Sequence, residues 1–206
     1  EYSDNTDSTH KNIQAKKEYQ GGQDHAFFYP TAVVALNQDN DETIIAVAQP
    51  YAHQVQLVTI KETNKKFSYK LIKSITLDLS NNKNYVNSTN ETSNKKNFQY
   101  PFFPIALAYN NHEKLLYIAD RGNNIVFSYD LESASLTPSV GNGEYGNSHL
   151  YSSQESPRDR SLGIPCSLAF FNNNQLLIGC AGTHQLINFQ TKKKRLQLIA
   201  GNGKKI

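Results

Sequence analysis

The sequence predicts an all-β chain built of repeated four-stranded antiparallel units, three of them in 206 residues. Three observations carry that expectation. Short apolar runs are separated by tight polar turns rich in Asn, Asp and Gly. In the run HisGlnValGlnLeuValThrIle, Val55, Leu57 and Thr59 fall on one face, as on a strand. Finally, Pro104 and Pro165, each opening a run, stand 61 residues apart, and so do Ile125 and Leu186. Four-stranded units recurring at about 40 residues or more are the signature of β-propeller blades.

Taken in order, residues 1–24 show no period of 2 or 3.6 and are rich in Asp, Asn, Thr, Ser, Lys and Gln. They are expected to form a flexible polar arm, with too little apolar surface to offset the entropy of ordering. The first unit, about residues 28–79, opens at Pro30 with ThrAlaValValAlaLeu and turns through AsnGlnAspAsnAspGlu into ThrIleIleAlaValAla. After residues 49–52 it continues as HisGlnValGlnLeuValThrIle and a fourth run at 67–77. Residues 80–99 are a low-complexity insert read as a surface loop, in which Asn87 and Asn90 head two sequons and are candidate glycosylation sites.

The second unit, about residues 102–141, is the best formed. Its runs at 104–109, 115–119 and 125–129 form a meander, with turns at 110–112 and 120–124, and a fourth strand is expected near 135–140. The third unit, about residues 163–206, repeats the plan from IleProCysSerLeuAlaPhePhe through GlnLeuLeuIleGlyCysAla, HisGlnLeuIleAsnPheGln and LeuGlnLeuIleAla to Gly201, Asn202 and Gly203. Residues 25–206 therefore read as one domain.

Composition narrows the partners only a little. Twenty-one basic residues face 18 acidic ones for a net charge of +3, a balance that does not call for nucleic acid or anionic lipid. No run approaches the roughly 18 apolar residues of a membrane helix. The polar N-terminus, which lacks an apolar leader, fits either a processed or a truncated end.

The candidate chemistry is sparse. Asp120 ends a strand and, with Gly122 and Asn123, is read as a turn whose carboxylate accepts backbone N–H bonds; a metal or substrate ligand at the mouth of a propeller is the alternative. In the third unit Gly182 and His184 hold the corresponding turn, with Gly182 expected at positive φ. Spacing aligns His53, Asn123 and His184 as a shared structural position, or alternatively as a ring of metal ligands. Cys166 and Cys180 lie equidistant from Asn173 and are expected to face each other across two strands, as a disulfide or as two buried thiols. A disulfide would favour an oxidising compartment, extracellular or periplasmic, over the cytoplasm, but the compartment stays open.

Other motifs have plainer readings. Gly141, Gly143 and Gly146 imitate a dinucleotide fingerprint, yet no amphipathic helix follows them. The run from Lys192 to Arg195 is read as a solvated turn, so nucleic acid is not the expected partner. No nucleophile elbow is present.

Residues 116–130, LeuTyrIleAlaAspArgGlyAsnAsnIleValPheSerTyrAsp, resemble the core of an NHL repeat. ValGlyAsnGlyGluTyrGly at 140–146 and IleAlaGlyAsnGly at 199–203 resemble the Gly-rich linker between NHL blades. AlaGlyThrHisGlnLeu at 181–186 is similar to later blades of proteins that join NHL repeats to a thioredoxin-like domain, although no CysXaaXaaCys pair is present to imply redox chemistry. The resemblance covers about 23–206 and departs from the family at Gln49, where Asp is usual, and at Ile125 and Val126, where a basic residue precedes the hydrophobic one.

The resemblance implies an NHL-type propeller, most often six-bladed, of which three blades are a partial ring. The chain is then a fragment, or a homodimer or a partner chain completes the ring. The functional expectation is a non-catalytic module that recognises a protein, peptide or glycan through its loops, with no cofactor. The alternatives are a lyase or hydrolase with a central Ca or Zn ion on a six-bladed propeller, and an RNA-binding domain.

Overall fold

A computed structural model describes residues 27–39, 42–77, 100–146 and 156–203. The polar arm at 1–24 and the insert at 80–99, with Asn87 and Asn90, lie outside the described residues.

The described chain is a partial β-propeller of three four-stranded antiparallel sheets in sequence order. The first sheet contains β1 (Ala32–Asp39), β2 (Glu42–Gln49), β3 (Gln54–Thr63) and β4 (Lys66–Thr76). The second contains β5 (Pro104–Asn110), β6 (Leu115–Asp120), β7 (Ile125–Asp130) and β8 (Leu136–Val140), and the third β9 (Pro165–Asn172), β10 (Gln175–Cys180), β11 (Gln185–Gln190) and β12 (Arg195–Ala200). Each sheet is a simple meander, since every strand pairs with its neighbour in sequence. The opening strand β5 packs beside both β1 and β9, so the first strand of each sheet lines the inside of the arc.

Two apolar layers hold the sheets together. Leu36, Ala46, Ala48, Val55, Leu57 and Ile75 of the first sheet meet Leu116, Ile118, Ile125 and Phe127 of the second. Alternation then puts Tyr117 and Val126 on the opposite face of the second sheet, where they meet Leu176, Ile178, Ile187 and Phe189 of the third. The second sheet is thus buried on both faces, and each of its large side chains contributes roughly 1.5–3 kcal/mol by leaving water. Tyr117 sets its ring edge-on to Phe170 and Phe189, with centroids 5.5 and 6.4 Å away. Its hydroxyl donates to Glu113 Oε2 at 3.3 Å, while Thr191 Oγ1 donates to Glu113 Oε1 at 3.0 Å and ties the two sheets at one end.

The repeat runs at two spacings. The opening prolines are 61 residues apart, but the strand pairs Asp120–Ile125 and Cys180–Gln185 are equivalent at a spacing of 60. The difference lies in the first hairpins: β5 turns through residues 111–114 and β9 through 173–174, with register shifts at both ends of the β9–β10 pairing. From the second strand onward the third sheet is therefore one residue out of step with the alignment on the prolines.

Candidate binding surface

The turn between the second and third strands of each sheet lies at the same end as the segment that enters the first strand. In the second sheet this end is organised by Asp120. Its Oδ1 accepts from the backbone N–H groups of Phe103, Gly122 and Asn123 at 3.1, 3.0 and 3.2 Å. Its Oδ2 accepts from Asn123 Nδ2 at 2.7 Å, and the same nitrogen donates to the Tyr100 carbonyl at 3.0 Å. Asn123 Oδ1 accepts from Tyr100 N at 3.1 Å. Asp120 is fully buried, and burial pushes its carboxyl above the ordinary value against the pull of these hydrogen bonds. One of these bonds holds the incoming chain at Phe103, three brace the turn itself, and Asn123 extends the fastening to Tyr100.

The second and third sheets also share a backbone bond at this place, which the first replaces with a side chain. Arg121 N donates to the Phe103 carbonyl, and Ala181 N to the Ile164 carbonyl, at 3.1 and 3.0 Å. At the equivalent place in the first sheet Pro50 has no N–H to give. There Gln49, buried where Asp120 and Cys180 stand, accepts from Phe28 N through Oε1 at 2.6 Å. Gln49 thus performs in the first sheet the fastening that Asp120 performs in the second.

The last residue of each turn adopts the left-handed conformation: His53, Asn124 and His184 have φ of 54, 53 and 52°. Asn124, not Asn123, is therefore the partner of the two histidines. Sequence spacing misplaced it by one because the alignment followed the prolines. Gly182 is likewise corrected. His184 carries the positive φ, and Gly182 is needed for space, since a Cβ there would lie 2.7 Å from Tyr145 Cε2 and 2.9 Å from Ile164 Cγ1. The linker glycines Gly141 and Gly201 do have positive φ, 99 and 84°. Any side chain on them would run into the carbonyl of Asn124 and His184 respectively.

An aromatic run crosses this end. Phe28, Tyr29, Tyr51 and Phe103 touch in sequence with centroid separations of 5.1, 5.4 and 5.4 Å and interplanar angles of 83, 63 and 78°. Phe28, Tyr29 and Tyr51 are 52, 67 and 60% exposed. Tyr100 and Tyr145 add exposed rings at the same end, and the Tyr145 hydroxyl donates to the Gly182 carbonyl at 2.7 Å. Residue-by-residue motif reading missed this surface. Its signal was the aromatic residues flanking the entry prolines, at 27–30 and 100–104.

The remaining sequence candidates fall elsewhere. Pro165, not Cys166, lies opposite Cys180, because the register shifts between Gly179 and Cys180. Both cysteines are free thiols. Cys166 Sγ lies 3.5 Å from the Gly179 carbonyl, and burial pushes the Cys180 thiol up to about 12. Among the described residues no three His, Cys, Asp or Glu side chains are grouped to hold a metal, and Asp120 and His184 sit in different sheets. Lys192, Lys193, Lys194 and Arg195 are all exposed at the far end, where Lys194 also lies over the Phe189 ring at 5.5 Å.

No known family matches the chain, and no curated protein matches it. Among solved structures it is similar to hydrazine synthase from Kuenenia stuttgartiensis, with 10% identity, coverage of 90% of this chain and 40% of that one, and a TM-score of 0.47. It is similar to a putative 6-phosphogluconolactonase from Bacteroides fragilis at 16% identity, 82% and 37% coverage and a TM-score of 0.44. U3-55K matches at 11% identity, 87% and 41% coverage and a TM-score of 0.46. The chain spans about two fifths of the length of these structures, and likenesses this distant add nothing to the chemistry of the site.

Proposed function

We propose that the chain is a binding module of an NHL-type propeller, and that it recognises an extended peptide along the aromatic end of its first two sheets. The observation that carries this reading is the run of rings from Phe28 to Phe103, of which Phe28, Tyr29 and Tyr51 are exposed. Successive rings stand at 63–83° to one another, so they make ridges with clefts between them instead of the flat platform on which a sugar ring stacks. Aromatic-lined grooves of this form suit a polyproline II segment, which is already extended before it binds. The three separations place Phe28 and Phe103 at most about 16 Å apart, the length of about five residues of polyproline II.

Charge refines the choice. Apart from the buried, fully hydrogen-bonded Asp120, residues 27–31, 50–53, 100–104 and 120–124 include no acid, whereas Arg121 is exposed. A proline-rich peptide with a flanking carboxylate fits both features. Screening the full chain against a library of proline-rich and proline-free peptides tests the proposal, with a glycan array as a second arm. Proline-rich binders should lose about tenfold or more in affinity on Tyr51→Ala. Enrichment of glycans alone, or peptide binding indifferent to Tyr29→Ala and Tyr51→Ala, overturns it.

A further inference from the structure

The linker that leaves β8 contains an Asn-Gly pair, Asn142 and Gly143, and the fold sets specific contacts around its carboxamide. Asn142 Oδ1 accepts from Glu144 N at 2.9 Å. Asn142 Nδ2 donates to Glu144 Oε2 at 3.3 Å and to the Asp159 carbonyl at 3.4 Å. The backbone is hooked at the same place: Gly141 N donates to the Pro157 carbonyl at 3.0 Å, and Asn142 N to the Arg160 carbonyl at 2.9 Å. Asn142 thereby ties the exit of the second sheet to the segment that leads into the third.

The next residue is unencumbered. Gly143 is exposed, has a φ of 87°, and its N–H makes no hydrogen bond among the described residues. A Cβ there would meet nothing nearer than the Asn123 carbonyl oxygen at 3.8 Å. The backbone nitrogen beside the Asn142 carboxamide is therefore free of partners, uncrowded and open to water, while the carboxamide itself is held at both of its polar atoms.

We propose that Asn142 is a self-modifying site, deamidated by attack of Gly143 N on its Cγ with help from Glu144. The new N–Cγ bond closes a five-membered succinimide, the Cγ–Nδ2 bond breaks, and the side-chain nitrogen leaves as ammonia with the proton that Gly143 N gives up. Water then opens the ring at either carbonyl, leaving aspartate or isoaspartate. Each contact has a part in this. Negative charge gathers on Oδ1 during the attack, where the Glu144 N–H already donates. The Glu144 carboxylate, beside Nδ2, carries the proton from Gly143 N to the departing nitrogen. Asn202 and Gly203 repeat the pair in the next linker, but Lys204 stands there in the place of Glu144. The product loosens the seam between the second and third sheets, because a carboxylate has no N–H to give the Asp159 carbonyl and is set against the charge of Glu144.

Ageing the full chain at neutral pH tests the proposal, with samples digested by an acid-active protease and the peptide containing Asn142 followed by mass spectrometry. A synthetic peptide of residues 138–146, aged beside it, gives the rate that the sequence has without the fold. Asn142 should convert several-fold faster in the folded chain than in the peptide. Glu144→Gln, a change at an exposed side chain, should slow the folded chain several-fold and leave the peptide nearly unchanged, with circular dichroism confirming the fold. The aged fraction, separated by anion exchange, should melt below the fresh chain. A folded chain that converts no faster than the peptide, or a rate indifferent to Glu144→Gln, overturns the assisted reaction, and an unchanged thermal midpoint overturns its link to the seam.

Discussion

Replacing Asp120 by Asn is the sharpest test of the turn chemistry, because the two side chains have the same shape. The new Oδ1 can still accept from the N–H groups of Phe103, Gly122 and Asn123. The new Nδ2, however, takes the place of an oxygen 2.7 Å from Asn123 Nδ2 and sets two donors against each other. Rotating the Asn123 amide does not help: its oxygen would then face the Tyr100 carbonyl and its nitrogen the Tyr100 N–H. The loss is one charge-assisted hydrogen bond plus a donor with no acceptor, about 2 kcal/mol.

Asp120→Ala also strands the three backbone donors and should cost about 3–4 kcal/mol. Thermal midpoints followed by circular dichroism at neutral pH should fall by about 4–8 °C for the Asn variant and further for Ala. A loss below about 0.5 kcal/mol for Asp120→Asn refutes the reasoning, since that is the scatter of ordinary surface substitutions. So does a loss that disappears in chelator, which would make Asp120 a metal ligand.

Other expectations follow from the same geometry. Gly182→Val should destabilise by about 1–3 kcal/mol through overpacking against Tyr145 and Ile164, and Tyr145→Ala in the same chain should recover part of the loss in chemical denaturation. The carboxyl of Asp130 accepts from Ser133 N and Glu132 N, which hold it below its ordinary value. Because its folded value is depressed, its contribution is present above the unfolded value of about 3.9 and fades as pH falls through the folded one. The stability difference between wild type and Asp130→Asn should therefore shrink toward zero in acid, and a difference that grows there contradicts the assignment. An aromatic disulfide reagent should modify Cys166 well before Cys180, whose buried thiol supplies little thiolate; equal rates would show that this part of the sheet opens freely.

The meander order, and the place of Asp120 in a hydrogen-bonded turn, were legible because both depend on local chemistry: short apolar runs set off by polar turns, and the habit of Asp at a strand end. What stayed hidden depends on register. A hairpin shortened by two residues and an extra residue in β9 are invisible to spacing measured between prolines. That is why Asn123 stood in for Asn124, and why Cys166 was expected to face Cys180. The positive φ expected of Gly182 falls instead on His184, since histidine tolerates that conformation and the glycine is required by the crowding of Tyr145. The aromatic end shows in the sequence only as aromatic residues flanking two entry prolines; it is the fold that brings Tyr29 against Tyr51 and Tyr51 against Phe103.

The second sheet has neighbours on both sides, and this sets the order in which the molecule loosens. In a stack where each layer touches only the next, opening starts at the outer layers and spreads inward. Amide protons of β6 and β7 should then be the slowest in the molecule to exchange with deuterated solvent, and those of β4 and β12 among the fastest.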